Sequence, residues 1–150
     1  MRLRPATRDD AYALWIWAND PQTRTASCNA DNIPWVEHVE WLECRLRDPS
    51  AIVLIAESEA RQQPLGSIRF DTADAWVTAR LSYVIAPESR GLGLSRQLVS
   101  QGVAWVRSAR PLVVIRADVL MINPRSLHLF RSAGWTEDPA GGDVARFWLH

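Results

Sequence analysis

The most informative segment of the chain is Glu88-Ser89-Arg90-Gly91-Leu92-Gly93-Leu94-Ser95. The residues before it, 81–85 (Leu-Ser-Tyr-Val-Ile), have the β-branched and aromatic content of a buried strand, which Pro87 prevents from continuing. After it, apolar residues recur at the spacing of an amphipathic helix. The two glycines therefore stand where a strand turns into the N-terminus of a helix.

This turn has the chemistry of a site for two linked phosphates. Glycine permits positive φ angles and close approach of the backbone to a ligand, and a helix N-terminus presents unpaired N–H groups with partial positive charge. Arg90 adds a permanent cation. A dinucleotide fingerprint would require glycine where Arg96 stands, and the chain has no Gly-Lys-Ser/Thr triphosphate motif. The alternative is an ordinary strand-to-helix turn with a solvated arginine.

The pattern that remains, Arg-x-x-Gly-x-Gly/Ala, resembles that of the GNAT superfamily of acetyl-CoA-dependent N-acetyltransferases. Ser95 replaces the final Gly/Ala and adds a hydroxyl that can donate to a phosphate oxygen. The resemblance implies that acetyl-CoA is the cosubstrate and that no metal takes part. It implies a pyrophosphate site formed by Arg90, Gly91, Leu92, Gly93, Leu94 and Ser95. It also implies that the backbone of Val84, Ile85 and Ala86 holds the pantetheine arm and the thioester.

Residues 123–135, Asn-Pro-Arg-Ser-Leu-His-Leu-Phe-Arg-Ser-Ala-Gly-Trp, resemble a second segment of the same superfamily, Asn-x-x-Ser/Ala-x-x-Leu-Tyr-x-x-x-Gly-Phe. The resemblance places Asn123, Ser126 and Phe130 beside the CoA arm. In many relatives a tyrosine at the position of Phe130 protonates the departing thiolate, and phenylalanine has no proton to donate. Either the thiolate leaves with help from solvent, or another residue serves. Ser126 and His128 are candidates, and helical spacing places Ser126 on the same face as residue 130.

Attack on a thioester requires a neutral amine, so a base acting through water is expected. Asp71, at the end of a predicted strand, is the first candidate for this base, and His38 is the second. Aspartate at a strand end also commonly terminates the strand.

Segments 17–24, 33–42 and 64–71 resemble the aminosugar-nucleotide N-acetyltransferases of pseudaminic-acid and related surface-sugar pathways. Those relatives carry the sequence Trp-Arg-Asn-Asp. In this chain Ala18 stands at the position of the arginine. The predicted contacts to this small-molecule amine acceptor are Trp17, Asn19, Arg24 and Arg69, through aromatic stacking and pairing with a diphosphate. The alternatives are a protein N-terminal acetyltransferase of the ribosomal-protein type, a polyamine acetyltransferase, and a catalytically silent CoA-binding sensor. An acidic groove would favour a polyamine or a basic protein tail.

The rest of the chain alternates predicted strands and helices. Strands are predicted at 3–6, 51–56, 65–70, 77–85 and 113–119, with 135 and 144–149 closing the sheet around a turn at Gly141-Gly142-Asp143. Helices are predicted after a Thr7-x-x-Asp10 capping box, after Pro34, and at 94–109 and 126–133. This order predicts one α+β domain over residues 1–150, with a mixed, mostly antiparallel twisted sheet and helices on both faces, as in the GNAT superfamily.

Composition narrows the class of protein further. The 17 basic and 17 acidic side chains cancel, so no overall field favours a nucleic acid partner. The N-terminus lacks the apolar core of a signal peptide and no apolar run approaches a bilayer span, which predicts a cytoplasmic protein without a membrane partner.

Cys28 and Cys44 are too few for a disulfide scaffold or a zinc site and are interpreted as structural or incidental thiols. Most of the eight tryptophans are expected in the core, with some left for an apolar interface, and a monomer or homodimer is expected.

Overall fold

The computed structural model describes residues 1–27, 29–138 and 142–150. Within these ranges the strands are β1 (Arg2–Pro5), β2 (Ala51–Glu57), β3 (Pro64–Asp71), β4 (Thr78–Ile85), β5 (Val114–Leu120), β6 (Thr136–Asp138) and β7 (Val144–Leu149). The α-helices are α1 (Ala11–Asn19), α2 (Pro21–Thr25), α3 (Trp35–Arg47), α4 (Leu94–Ala109) and α5 (Pro124–Ser132). Short 3-10 turns at Arg8–Asp10 and Pro87–Ser89 precede α1 and the glycine loop. Within the same ranges no helix has both the length and the apolarity to cross a bilayer.

The strands form a single twisted sheet in the order β1-β2-β3-β4-β5-β7-β6. Neighbouring strands run antiparallel except β4 and β5, which are parallel. The parallel pairing extends only from Thr78↔Val114 to Leu81↔Ala117. Beyond it β4 continues against β3 and β5 continues against β7, so the sheet opens between the two strands. This gap leaves backbone groups of residues 82–85 available to a ligand.

Helices cover both faces of the sheet, and a hydrophobic core lies under each face. The larger core joins the sheet to α4 and α5 through residues such as Ile68, Leu98 and Phe130. The smaller core joins the opposite face to α1 and α3 through Leu14, Trp17, Leu42, Val53 and Ile55 among others. The predicted α+β class with helices on both faces is confirmed.

Element positions agree with the sequence-based prediction, with two differences. Helix α2 was not predicted, because its five residues are too few to show an apolar stripe; Pro21 opens it and Asp20 caps it by accepting a hydrogen bond from Thr23 N. Helix α5 begins two residues early, because Asn123 is its cap. The predicted turn at 141–143 begins outside the described residues, and Cys28 also lies outside them. Cys44 is an exposed free thiol.

The predicted capping box before α1 is confirmed and is part of a buried ion-pair network. Thr7 N donates to Asp10 Oδ2 at 2.8 Å, and both carboxylate oxygens of Asp10 accept from Arg4, at 2.8 and 2.7 Å. The Arg4 guanidinium also donates to Glu57 on β2. Asp10 therefore connects the start of α1 to the edge of the sheet.

Replacing Asp10 by asparagine is expected to lower the free energy of unfolding by about 2 kcal/mol at pH 7, because charge-assisted hydrogen bonds to a buried group are lost. Burial alone would raise the pKa of Asp10, but the hydrogen bonds from Arg4 and Thr7 hold it below its usual value. Such a carboxyl stabilises the fold above its unfolded-state pKa and loses that contribution as pH falls through its folded-state pKa. Urea titrations at pH 7 and pH 3 should show a smaller pH dependence in Asp10→Asn, with exposed Asp9→Asn as the control. Equal stability of Asp10→Asn and the natural protein at pH 7 would contradict this role.

Candidate active site

The glycine loop has the backbone geometry that a pyrophosphate site requires. Gly91 and Gly93 have φ angles of +81° and +71°, and Gly93 is the N-cap of the 16-residue helix α4. A Cβ atom built at either glycine would have no described atom within 4 Å. The space beside both glycines is therefore open, and they directly precede the unpaired N–H groups of the first turn of α4, which suit an anion.

Arg90 lies in this loop, and its guanidinium group is bound to the N-terminal end of α2. Its Nη2 donates to Asp20 Oδ2 at 2.6 Å and to Thr23 Oγ1 at 3.0 Å, and its Nη1 donates to Gln22 Oε1 at 2.9 Å. The hydrogen bond from Arg90 is the main reason that the pKa of Asp20 lies below its usual value. Arg90 thus joins the glycine loop to the N-terminus of α2, and its predicted pairing with a diphosphate would require it to leave these partners.

A cleft of about 660 Å³ occupies the gap between β4 and β5 and continues toward α1–α3. It brings together seven of the predicted site residues: Arg24, His38, Arg69, Val84, Asn123, Ser126 and Phe130. Among the described residues its lining does not include Trp17, Asn19, Asp71, Ile85, Ala86 or the glycine loop. Lining residues that the sequence did not single out include Glu37, Trp41, Arg80, Tyr83 and Asp118.

One wall of the cleft is formed by the start of α5. Asn123 Oδ1 accepts a hydrogen bond from Ser126 N at 3.2 Å, which caps the helix as predicted. The buried Ser126 hydroxyl lies 2.8 Å from Tyr83 Oη on β4. Phe130 is 1% exposed and packs on Phe147 and Trp135, with ring centroids 5.3 and 4.9 Å away.

His38 lies on the opposite wall, where α3 faces the sheet. Its Nε2 is 3.0 Å from the carbonyl oxygen of Ala11. Because a carbonyl only accepts, Nε2 carries the proton and Nδ1 is unprotonated in the neutral ring. Burial lowers the pKa of His38, and the hydrogen bond to Ala11 opposes this only in part. His38 is therefore held as a neutral imidazole with one basic nitrogen.

The structure gives Asp71 a different surrounding from the one expected of a catalytic base. Its carboxylate accepts a hydrogen bond from Arg69 Nε at 2.7 Å and has Arg45 and Arg80 within 3.7 and 3.9 Å. Asp71 does not line the cleft, and its carboxylate is engaged by these guanidinium groups. We therefore correct the interpretation of Asp71 from base to the residue that orients Arg69.

Trp17 and Asn19, both predicted to contact the acceptor, have structural surroundings. Trp17 is 4% exposed and packs in the smaller core. The Asn19 side-chain amide pairs with the backbone of Ile33 in both directions, Nδ2 to Ile33 O at 3.0 Å and Ile33 N to Oδ1 at 2.7 Å. Neither side chain lines the cleft. Both predictions are therefore corrected: Trp17 packs α1 into the smaller core, and Asn19 holds α1 against the segment before α3.

Arg24 reaches the cleft, but its guanidinium is committed to the backbone of the wall. It donates to the carbonyl oxygens of Ala18, Asn29 and Asp31. Arg24 therefore organises the residues between α2 and α3, and its predicted contact with an acceptor phosphate stays a prediction.

Arg69 and Trp41 form the part of the cleft best suited to an acceptor. The Arg69 guanidinium lies 5.2 Å from the centre of the Trp41 ring, and Asp71 fixes its other side. Arg80, paired in register with Asp71 on the neighbouring strand, lines the same region. Because side chains alternate along a strand, residues 69 and 71 lie on one face of β3. This two-residue period is the signal in the sequence that could have placed Arg69 and Asp71 on the same face as Arg80.

Comparisons with known proteins agree with this geometry. Residues 1–136 match the acetyltransferase (GNAT) domain family. An uncharacterized N-acetyltransferase (ycf52) of Pyropia yezoensis is 25% identical over 120 residues, which are 79% of this chain and 66%, just under two thirds, of that protein.

Solved structures of other proteins share the fold of this chain. The fold is similar to that of a spermidine N-acetyltransferase from Vibrio cholerae in complex with CoA and spermine, with a TM-score of 0.89, 20% identity, and coverage of 99% of this chain and 94% of that chain. A ribosomal-protein-alanine N-acetyltransferase from Brucella melitensis is 27% identical, with a TM-score of 0.78 and coverage of 99% and 97% of the two chains. The match to the family extends over residues 1–136, and the chain has both the glycine loop before α4 and the opening between β4 and β5. The chain therefore belongs to the GNAT acetyltransferase family.

Proposed function

We propose that the protein transfers the acetyl group of acetyl-CoA to the primary amine of a small acceptor that also carries an anionic group, as in an amino-sugar nucleotide. The observation that carries this proposal is the continuous cleft, which joins the strand gap to a region lined by Arg69, Arg80 and Trp41. The acetyltransferase activity follows from the family, and the charge of this region supports the proposed acceptor class.

The residues around the gap fit CoA. The pyrophosphate would lie over the N–H groups that follow Gly91 and Gly93, where no described atom fills the space. The pantetheine amides would pair with the backbone of residues 82–85, which β5 leaves unpaired. The acetyl group would then lie in the gap between the α5 wall and the His38 wall.

His38 is the base of the proposed mechanism. An amine reaching the thioester from the α3 side needs to lose a proton during acetyl transfer. The imidazole on that wall can accept it at Nδ1, directly or through a water molecule, because burial lowers the pKa of His38 and so leaves this nitrogen unprotonated. Asp71 supports the reaction only by holding Arg69.

The charges around the cleft favour an anionic acceptor over a polyamine. Asp71 is shared by three arginines, and Asp118 pairs with both Arg116 and Arg146 at 3.0 Å. Among the described residues that line the cleft itself, three guanidinium groups, those of Arg24, Arg69 and Arg80, stand against the two carboxylates of Glu37 and Asp118, so the lining has a small excess of positive charge. A phosphate can pair with an arginine in bidentate geometry, and the Trp41 face can carry a sugar or base ring.

Arg69→Met is expected to raise the KM for an amino-sugar nucleotide at least about tenfold, since a charge-assisted hydrogen bond contributes roughly 1.5–3 kcal/mol. The KM for acetyl-CoA should not change, because Arg69 lies on the acceptor side. Steady-state CoA release provides the measurement, and Arg47→Met, an exposed arginine at the end of α3, is the matched control. An unchanged acceptor KM would remove Arg69 from the acceptor site.

The proposal itself is tested by CoA release from acetyl-CoA with three acceptors: a uridine-diphosphate amino sugar, spermidine, and a peptide with N-terminal alanine. We expect the sugar nucleotide to have the highest kcat/KM. Highest turnover with the peptide would instead establish a protein N-terminal acceptor, a candidate supported by the 27% identity to the ribosomal-protein-alanine enzyme. CoA binding without turnover of any of the three would favour the silent sensor. The prediction of a monomer or homodimer stays a prediction.

A further inference from the structure

We propose that the Arg90 side chain is a positioning residue for the acceptor, which holds the wall of the cleft at α2, and that it is not a ligand of the CoA pyrophosphate. This inference rests on the proposed acetyl transfer and changes the role that the resemblance implies for this arginine. It gives the glycine loop two separate functions. The backbone N–H groups of the loop serve the phosphates, and the side chain of Arg90 serves the acceptor side.

The Arg90 guanidinium is bound at the beginning of α2 by a fork of hydrogen bonds. Its Nη2 donates to Asp20 Oδ2 at 2.6 Å and to Thr23 Oγ1 at 3.0 Å, which uses both hydrogens of this nitrogen. Its Nη1 donates to Gln22 Oε1 at 2.9 Å. Within the described residues, every hydrogen bond of the Arg90 side chain goes to this segment. A planar fork held by three acceptors is fixed in direction as well as in position.

The ion pair between Arg90 and Asp20 is partly withdrawn from water. The two side chains are 23% and 18% exposed. The hydrogen bond from Arg90 lowers the pKa of Asp20, so the carboxylate is charged at neutral pH. If Arg90 moved to a phosphate, this partly buried carboxylate would lose its cation, which is unfavourable. The charge of Asp20 therefore favours keeping Arg90 at α2.

Asp20 connects this ion pair to the folding of α2. The oxygen that accepts from Arg90 also accepts from Thr23 N at 3.1 Å, and this second bond caps the helix. A helix of five residues has little stability of its own, so contacts from elsewhere in the fold have to hold it. Arg90 supplies such a contact from 70 residues further along the chain.

The segment that begins with α2 forms part of the cleft. Its lining residues are Thr23, Arg24, Ala26, Ser27, Asn29 and Ile33. Arg24 donates to the backbone carbonyl oxygens of Ala18, Asn29 and Asp31, and so fixes the residues on either side of it. Two arginines thus act in series, because Arg90 ties α2 to the glycine loop and Arg24 ties the following residues to α2. The position of this wall therefore depends on Arg90.

Calorimetric titration with CoA separates the two possible roles of Arg90 and requires no acceptor. Arg90→Met should bind CoA with a Kd within about threefold of that of the natural protein, because no hydrogen bond to the pyrophosphate is lost. A rise toward the tenfold or more that loss of a charge-assisted hydrogen bond produces, roughly 1.5–3 kcal/mol, would overturn the proposal. Arg47→Met, which removes an exposed positive charge at the end of α3, is the control for charge alone.

Amide hydrogen exchange tests the link between Arg90 and α2. The amides of Arg24, Ala26 and Ser27 donate to backbone carbonyl oxygens within this segment. In Arg90→Met they should exchange at least about tenfold faster than in the natural protein, and unchanged exchange would overturn the proposal. In the natural protein, saturating CoA should not accelerate their exchange, since Arg90 stays at α2. Acceleration by CoA would show that Arg90 leaves α2 for the phosphates, and would also overturn it.

Asp20→Ser tests the same link from the other side and serves if Arg90→Met does not fold. Serine keeps the helix cap but lacks the carboxylate. Exchange of the α2 amides should again accelerate, at an unchanged Kd for CoA. If Arg90 were a phosphate ligand, its release from Asp20 would tighten CoA binding, and that outcome would contradict the proposal.

The kinetic readout uses an acceptor that the natural protein acetylates. In Arg90→Met the kcat/KM for the acceptor should fall at least about tenfold, because the wall is misplaced, while the KM for acetyl-CoA stays the same. The double variant with Asp20→Ser should lose no more, since both changes remove one contact. An unchanged kcat/KM, or losses that add, would overturn the role of Arg90 and leave the proposed function standing. Failure of the natural protein to bind CoA would overturn both.

Discussion

Replacing Gly93 by valine is expected to raise the Kd for CoA at least about 100-fold, the equivalent of two charge-assisted hydrogen bonds. The new side chain would occupy the open space beside Gly93, the N-cap of α4, where we place the pyrophosphate. Its φ of +71° is also a backbone conformation that valine rarely adopts. Calorimetric titration with CoA measures the effect.

The control for Gly93→Val is Gly134→Val. Gly134 has a φ of +78° and likewise no described atom within 4 Å of an added Cβ, but it follows the C-terminal end of α5 and is not at the N-terminus of α4. A positive φ destabilises both variants by about the same amount, roughly 1–2 kcal/mol, because valine disfavours this backbone conformation. Only a loss of CoA affinity specific to position 93 therefore supports the site. An unchanged Kd in Gly93→Val, or an equal rise in Gly134→Val, would contradict it.

Replacing Gly66 by alanine is expected to lower the free energy of unfolding by about 3 kcal/mol, at the upper end of overpacking effects, and to weaken CoA binding. An added Cβ would lie 2.3 Å from the carbonyl oxygen of Val84, which is backbone and cannot rotate away. Gly66 pairs in register with Ile85, so β4 has to move at the residues that border the gap. Urea unfolding and CoA titration report the two effects separately.

Gly102→Ala is the matched control for Gly66→Ala, because it also adds a methyl group between the sheet and its neighbours. At Gly102 the new Cβ would meet the Cδ1 of Ile68 at 2.6 Å, a side-chain end that can adopt another rotamer. Alanine also gains about 1 kcal/mol of helix propensity inside α4. We expect the stability of Gly102→Ala to stay within about 1 kcal/mol of the natural protein, and similar losses in both variants would refute close backbone contact at Gly66.

The fold was predictable because its elements carry local signals. Spacing of apolar residues predicts the helix Leu94–Ala109, and two nearby glycines predict the loop before it. The capping box at Thr7 is indicated by residues only three positions apart. The short helix Pro21–Thr25 was missed since its stabilising contact is distant: Arg90 reaches it across 70 residues of sequence. Such pairings depend on the tertiary fold and leave no periodic pattern.

The acceptor side of the site was less predictable than the cofactor side for the same reason. Asn19 was predicted to bind an acceptor, but its amide matches the backbone of Ile33, a partner 14 residues away. The sequence indicates Tyr83 only as part of a buried strand, because its hydroxyl contact is with Ser126, 43 residues further on. Only the parting of β4 from β5 shows which strand residues face the cleft.

The most direct test of the pyrophosphate site is a titration of the ¹⁵N-labelled protein, 16.9 kDa, with CoA, followed by amide resonances. We expect the largest shifts at the backbone amides of Gly91 to Ser95, with smaller ones at residues 82–85 along the gap. In Gly93→Val the loop shifts should disappear at the same CoA concentration. Shifts confined to other parts of the chain, with the amides of Gly91 to Ser95 unmoved at saturating CoA, would contradict the assignment of this loop as the site for CoA.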